Sequence, residues 1–179
     1  MSLDSFRLFV PFSELLAAIV GTIYFYKYKQ THLKFFLYIL WYIVITELTG
    51  LYTAKYNVLG FFDEQGAHYN LWMYNLMYSV FFPTVLTIYL RSIKQLLYRK
   101  WIKLFILFYI IISVINWSFI QSFKYEYSEL PFVVGSIFLT ISIIFYFIEL
   151  LKSDEIIIYH KKLLFWISIG LLIYHVGTI

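Results

Sequence analysis

Long apolar segments separated by short polar connections dominate the pattern of this chain. Six such segments cover about residues 8–26, 33–52, 68–90, 101–120, 131–151 and 163–179. An α-helix of about 20 apolar residues crosses the hydrocarbon core of a bilayer. The connections leave no room for a soluble catalytic domain. The pattern therefore predicts an all-α fold: a polytopic transmembrane helical bundle with six visible spans, forming a single domain over residues 1–179.

The third segment carries a polar stripe along one helix face. Steps of four and three residues lead from His68 to Trp72, Asn75, Ser79 and Pro83. Most other positions of this segment are apolar. Because an unpaired amide in lipid costs several kcal/mol, the stripe is expected to face other helices.

Composition supports a membrane protein. Of the 179 residues, 62% are hydrophobic and only 13% are charged, whereas soluble domains carry about 25% charged residues. The net charge of +4 lies in short stretches between apolar segments, which is typical of membrane loops and argues against a nucleic-acid partner. Cysteine is absent, which excludes disulfides and thiol chemistry.

The distribution of positive charge predicts the orientation. Eleven of the 14 lysines and arginines lie in the first, third and fifth connections. The positive-inside rule places these connections in the cytoplasm and the N-terminus outside. Six spans return the visible C-terminus to the outside, and whether a seventh helix follows Ile179 and brings the chain inside is left open. The densest group, here called the basic rim, is expected to meet anionic lipid or a partner protein; it comprises Arg91, Lys94, Arg99, Lys100 and Lys103.

Polar residues of several segments are predicted to reach one level in the outer half of the bilayer. With a rise of about 1.5 Å per residue, the predicted binding pocket comprises Glu14, Glu47, Trp72, Tyr74, Asn75, Ser79, Asn116 and His175. Glu47 and His175 are candidate titratable partners, since ionisable residues inside a membrane commonly serve function. The alternative is that these groups only bridge helices, at about 0.6 kcal/mol per hydrogen bond. Glu149 is expected to form a solvated pair with Lys152.

The motif search indicates no established catalytic chemistry. The histidines show no HExxH spacing, and no GxSxG, phosphate-binding or dinucleotide-binding pattern occurs. We therefore expect no catalytic residue, no metal and no cofactor.

Short blocks of the sequence resemble a family of short, largely uncharacterised bacterial multi-pass membrane proteins. The blocks are TELTG at 46–50, WMYN at 72–75, GSI at 135–137, FIELLKS at 147–153 and LFWISIGLL at 164–172. That family is similar to the seven-helix sensor regions that precede signalling domains. The resemblance implies no established activity. The expected location is the inner (cytoplasmic) membrane of a bacterium, and the expected role is in signalling. It gives added weight to Glu47, Tyr74, Asn75 and Trp166.

Three functions remain open. The first is a non-enzymatic sensor- or receptor-like module that binds a small or lipidic ligand, or a partner protein, in the outer pocket. The second is a structural or accessory subunit of a larger membrane complex, including a phage-defence effector or a homo-oligomeric pore. The third is an intramembrane enzyme with Glu47 and His175 as acid and base. Beyond the lipid bilayer, the expected partners are another protein or further copies of the chain.

Overall fold

The computed structural model describes residues 3–63, 65–153, 159 and 161–178. Within these ranges the helices are α1 (Leu3–Ile23), α2 (Lys34–Tyr56), α3 (Leu71–Ser92), α4 (Leu96–Ile115), α5 (Glu129–Leu151) and α6 (Leu163–Thr178). A 3₁₀ turn, Phe25–Lys27, follows α1, and a π-helical turn, Asn116–Ile120, continues α4. Two strands of two residues each, β1 (Phe61–Phe62) and β2 (His68–Tyr69), pair antiparallel. The all-α prediction is confirmed.

Four helices of the described ranges are long and apolar enough to cross a membrane. They are Lys34–Tyr56, Leu71–Ser92, Leu96–Ile120 and Glu129–Leu151. The 16-residue α6 and the apolar part of α1, Pro11–Ile23, are shorter. The prediction of a helical membrane protein is thus confirmed in this coarser form.

The connection between α2 and α3, expected as a polar connection without regular structure, contains a short antiparallel strand pair. Helix α2 continues to Tyr56 and is followed by Asn57 in the left-handed conformation, φ 53°, which asparagine tolerates at helix ends. Helix α3 begins only at Leu71, because the backbone of His68 pairs with that of Phe62. His68 therefore lies on a strand, and placing it on the helical stripe was wrong.

The chain divides into two compact units. The first comprises Met1–Phe81 and Trp117–Ser128, and the second comprises Phe82–Asn116 and Glu129–Ile179. The division falls within α3 and again at the end of α4.

Small residues allow close helix packing in the first unit. A Cβ atom on Gly21 of α1 would lie 2.9 Å from Cδ1 of Leu37 on α2. A Cβ atom on Gly50 of α2 would lie 2.5 Å from the hydroxyl oxygen of Tyr74 on α3. Such small residues let membrane helices approach closely. Helices α1 and α2 are also joined by a 2.9 Å hydrogen bond in which the Trp41 indole donates to the Thr22 hydroxyl.

Aromatic ring pairs link two helices of the second unit, and its core contains both aromatic and aliphatic side chains. Two near-parallel ring pairs join α4 to α5: Phe105 with Phe138, centroids 4.6 Å apart, and Tyr98 with Phe145, centroids 4.4 Å apart. Stacked or offset aromatic pairs contribute about 0.5–1.5 kcal/mol beyond the area they bury. The fully buried side chains of this core include Phe82, Leu86, Tyr89, Ile102, Tyr109, Leu139 and Ile143.

We predict that Gly135→Ala destabilises the second unit. The added Cβ would lie 2.7 Å from two ring carbons of Phe82, and the Phe82 side chain is fully buried. Overpacking of this kind lowers the free energy of unfolding by about 1–3 kcal/mol. Denaturation of the purified protein in mixed detergent micelles measures it.

Gly170→Ala in α6 is the matched control, since no atom lies within 4 Å of its added Cβ. Replacing a helical glycine without a clash stabilises a helix by about 0.5–1 kcal/mol. Equal stability of the two variants would contradict the packing at Gly135.

Candidate functional site

Two carboxyl groups and a phenol meet in the first unit. Glu47 of α2 lies about one turn before Gly50, whose missing side chain leaves room for the Tyr74 hydroxyl of α3. The Tyr74 hydroxyl donates to Oε2 of Glu47 at 3.5 Å, the outer limit of a hydrogen bond. Glu14 of α1 interacts electrostatically with both residues. We call Glu14, Glu47 and Tyr74 the carboxyl cluster.

The carboxyl cluster has more acceptors than donors. Oε2 of Glu14 is buried and has no hydrogen-bond partner among the residues that the structure describes. Among the described side chains, neither glutamate interacts with a lysine or arginine. An ionised carboxylate accepts hydrogen bonds at about four lone-pair sites, and a buried one needs donors or a cation to offset its lost hydration. The cluster can therefore accept hydrogen bonds from a group that carries donors or positive charge.

Asn75 holds a loop of the first unit. Its fully buried side-chain amide donates to the carbonyl oxygens of Phe123, at 2.9 Å, and Glu126, at 2.8 Å. Its carbonyl oxygen accepts the backbone N–H of Ser128 at 3.0 Å. These three bonds give Asn75 a structural role, which was the alternative to a binding role, but its partner is a loop and not another helix.

The other predicted pocket residues of α3 also form bonds within the first unit. The Trp72 indole donates to the carbonyl oxygen of Leu59 at 3.1 Å. The Ser79 hydroxyl donates at 2.7 Å to the carbonyl oxygen of Leu76 in its own helix. Asn70, outside the predicted pocket, donates to the Gly50 carbonyl at 3.1 Å and to the Thr53 hydroxyl at 3.0 Å.

His175 and Asn116 are fully buried in the second unit. Nδ1 of His175 lies 2.9 Å from the Ser136 hydroxyl, and its ring packs against the rings of Phe82 and Phe132. Ser136 was not a predicted site residue, and the only sequence signal for it was its place in the GSI block. Asn116 lies at the start of the π-helical turn.

The structure thus brings three predicted site residues together, and it shows separate side-chain bonds for Trp72, Asn75, Ser79 and His175. Glu47 bonds to Tyr74 in the first unit, and His175 bonds to Ser136 in the second. Direct pairing of Glu47 with His175 stays a prediction. Trp166, to which the resemblance gave weight, is exposed on α6.

The second unit also contains an apolar cavity of about 460 Å³. Among the described residues its lining carries no charged side chain, which distinguishes it from the predicted polar pocket. It is formed by Phe147, Leu150, Leu151, Tyr159, Phe165 and Ile169.

The Glu149 carboxylate binds the backbone of the short link between α3 and α4, next to the basic rim. Oε1 of Glu149 accepts the backbone N–H of Lys94 at 2.7 Å, and Oε2 accepts that of Gln95 at 3.0 Å. Both donors lie just before α4, where the first backbone N–H groups have no helical acceptor. The predicted solvated pair of Glu149 with Lys152 was wrong, because the carboxylate binds these backbone donors instead.

The rim residues lie on three neighbouring stretches of the second unit. Arg91 is in the last turn of α3, Lys94 is in the link, and the other three are on α4. Arg91, Lys94, Lys100 and Lys103 are exposed, and Arg99 is half-buried. No group of three or more possible metal ligands occurs in the part of the chain that the structure describes.

We predict that Asn75→Ala lowers the free energy of unfolding by about 2 kcal/mol. The substitution leaves one N–H and two carbonyl groups of the loop without their partner, and a buried polar group left unpaired costs about 1–3 kcal/mol. Ser79→Ala, on the same stripe, removes only a hydroxyl bonded within its own helix and is the control. Chemical denaturation in micelles measures both. If Asn75→Ala matches Ser79→Ala, Asn75 does not hold the loop.

No family model, curated protein or solved structure matches this chain. The resemblance to bacterial sensor-type membrane proteins therefore stays a prediction.

Proposed function

We propose that the chain is a multi-pass protein of the bacterial inner membrane that acts as a non-enzymatic sensor- or receptor-like module. In this proposal six helices cross the bilayer and the N-terminus lies outside. The four long apolar helices support the membrane location. The concentration of lysine and arginine in alternate connections supports the orientation.

The ligand site in this proposal is the carboxyl cluster. The observation that carries it is the buried Oε2 of Glu14, which has no donor in the described part of the chain although it lies close to a second carboxyl group. A small or lipidic ligand that carries an amine or several hydroxyl donors fits such a site. Bonds of these groups to an ionised carboxylate are charge-assisted and about twice as strong as neutral ones.

The cluster joins three helices, which suggests how binding would be transmitted. Glu14, Glu47 and Tyr74 lie on α1, α2 and α3. A ligand that bridges the two carboxyl groups favours the helix arrangement in which both reach it. Such a ligand shifts the equilibrium only as far as its affinity differs between the two arrangements. The proposed response is therefore a small displacement of α1 relative to α2 and α3.

A structural or accessory subunit is the second candidate. Several buried polar groups already bond within their own unit, as in Asn75 with the loop, Tyr89 with Ser168 at 2.7 Å and Ser136 with His175. Bonds of this kind stabilise a scaffold. Because these bonds fit either function, the carboxyl cluster is the feature that favours a receptor over a structural subunit.

We predict that Glu47→Gln and Glu14→Gln each reduce the amount of a co-purifying ligand. Each variant replaces a carboxylate with a neutral amide of the same shape. Losing one charge-assisted bond of about 1.5–3 kcal/mol lowers affinity about 10- to 100-fold. Mass spectrometry of small molecules extracted from the protein in native-lipid nanodiscs measures the loss.

Glu129→Gln is the matched control, because Glu129 is exposed at the start of α5. It is expected to retain the wild-type ligand content. If the wild-type protein carries only bulk lipids, in the same proportions as all three variants, the receptor proposal fails and the structural subunit is favoured.

A further inference from the structure

The hairpin between α2 and α3 presents apolar side chains on its surface. It comprises residues 57–63 and 65–70, and its base exposes Val58, Leu59 and Phe62. Leu59 is 67% exposed and Phe62 is 56% exposed. The turn beyond these residues is polar. The hairpin therefore has an apolar base and a hydrophilic tip.

The exposure of these side chains is fixed by the backbone. Leu59 has φ 58°, a left-handed conformation that bulky residues rarely adopt. It is held by the Trp72 indole, which donates to the Leu59 carbonyl oxygen. At the tip, Oδ1 of Asp63 accepts the backbone N–H groups of Gln65 and Ala67 at 2.9 and 2.8 Å. A strained backbone conformation that persists in this way points to a functional requirement.

Residues typical of a membrane interface surround the hairpin. Tyr52 and Tyr56 are exposed on the last turns of α2, with ring centroids 4.7 Å apart. The ammonium group of Lys55 lies 5.3 Å from the Tyr56 ring, and that of Lys124 lies 4.7 Å from the Phe61 ring. Tyrosine and tryptophan concentrate where a span meets water, and lysine there extends its charged end toward the aqueous side.

The chain length limits how far the apolar base can lie from the end of α2. Leu59 is three residues beyond Tyr56, so at most about 10–11 Å of extended chain separates them. The interfacial layer on each side of the hydrocarbon core is about 5–8 Å thick. Exposed apolar side chains so close to the end of a span are within reach of lipid.

We propose that the base of the α2–α3 hairpin inserts into the lipid interface, with Leu59 and Phe62 among the upper acyl chains and the polar tip in water. The hairpin then anchors the adjoining ends of α2 and α3 at a fixed depth. This inference goes beyond ligand binding, and it rests on the proposed function only in that α2 and α3 span the membrane.

The absence of cysteine from the chain permits a direct test. Leu59→Cys and Phe62→Cys are labelled with a nitroxide in the full chain, reconstituted in vesicles of phosphatidylethanolamine and phosphatidylglycerol. Collision with oxygen reports lipid, and collision with a water-soluble nickel chelate reports water. Gln65→Cys at the polar tip is the aqueous control, and Ile45→Cys, exposed in the middle of α2, is the lipid control.

We expect the oxygen-to-nickel collision ratio at Leu59 and Phe62 to be several-fold higher than at Gln65 and to approach that at Ile45. A ratio equal to that at Gln65 overturns the inference. Low collision rates with both reagents also overturn it, because they show that a protein surface covers the base. An oxygen-to-nickel collision ratio at Ile45 as low as that at Gln65 would show that α2 does not span the membrane. That result rejects both the hairpin inference and the proposed function. Val58→Cys tests the same surface if one variant fails to fold.

Discussion

A polar group inside a bilayer has no water to bond to, so its partner must come from the protein itself. Asn75 meets this requirement with three bonds to the backbone of one loop. In the second unit, Tyr89 bonds to Ser168 and Ser136 bonds to His175, which joins distant parts of the chain. Membrane helices gain little from the hydrophobic effect between them. Specific polar pairs and close contacts at small residues therefore determine how each unit packs.

The carboxyl cluster departs from this rule. Glu14 and Glu47 lie close enough to repel each other when ionised, and the described side chains offer only the long bond from Tyr74. Burying a carboxyl group without sufficient donors is unfavourable. Such an arrangement persists in natural proteins mainly where it serves function. The carboxyl cluster thus differs from the polar groups that have hydrogen-bond partners, and this difference is the structural basis of the proposed receptor role.

The sequence predicted helix positions well because long apolar segments carry a strong signal. It missed the β1–β2 pairing, because strands of two residues have no detectable periodicity. The depth of each pocket residue in the bilayer could be estimated from its position along the helix. The direction in which its side chain faces could not, because a helix that is apolar on most sides has no distinct buried face. The partners of Asn75 and Glu149 were not predictable, because they are backbone groups about 50 residues away or more along the chain. The meeting of Glu14 with Glu47 depended on the same unknown side-chain directions.

Reporter fusions determine whether the proposed six-span bundle has its basic connections in the cytoplasm. Alkaline phosphatase, which is active only outside the cytoplasm, is fused after Gly66 and, in a second fusion protein, after Gln95. We expect strong phosphatase activity for the fusion after Gly66 and none for the fusion after Gln95, with the opposite pattern for a fluorescent reporter that folds only inside. Phosphatase activity after Gln95 would place the basic rim outside and overturn the proposed topology.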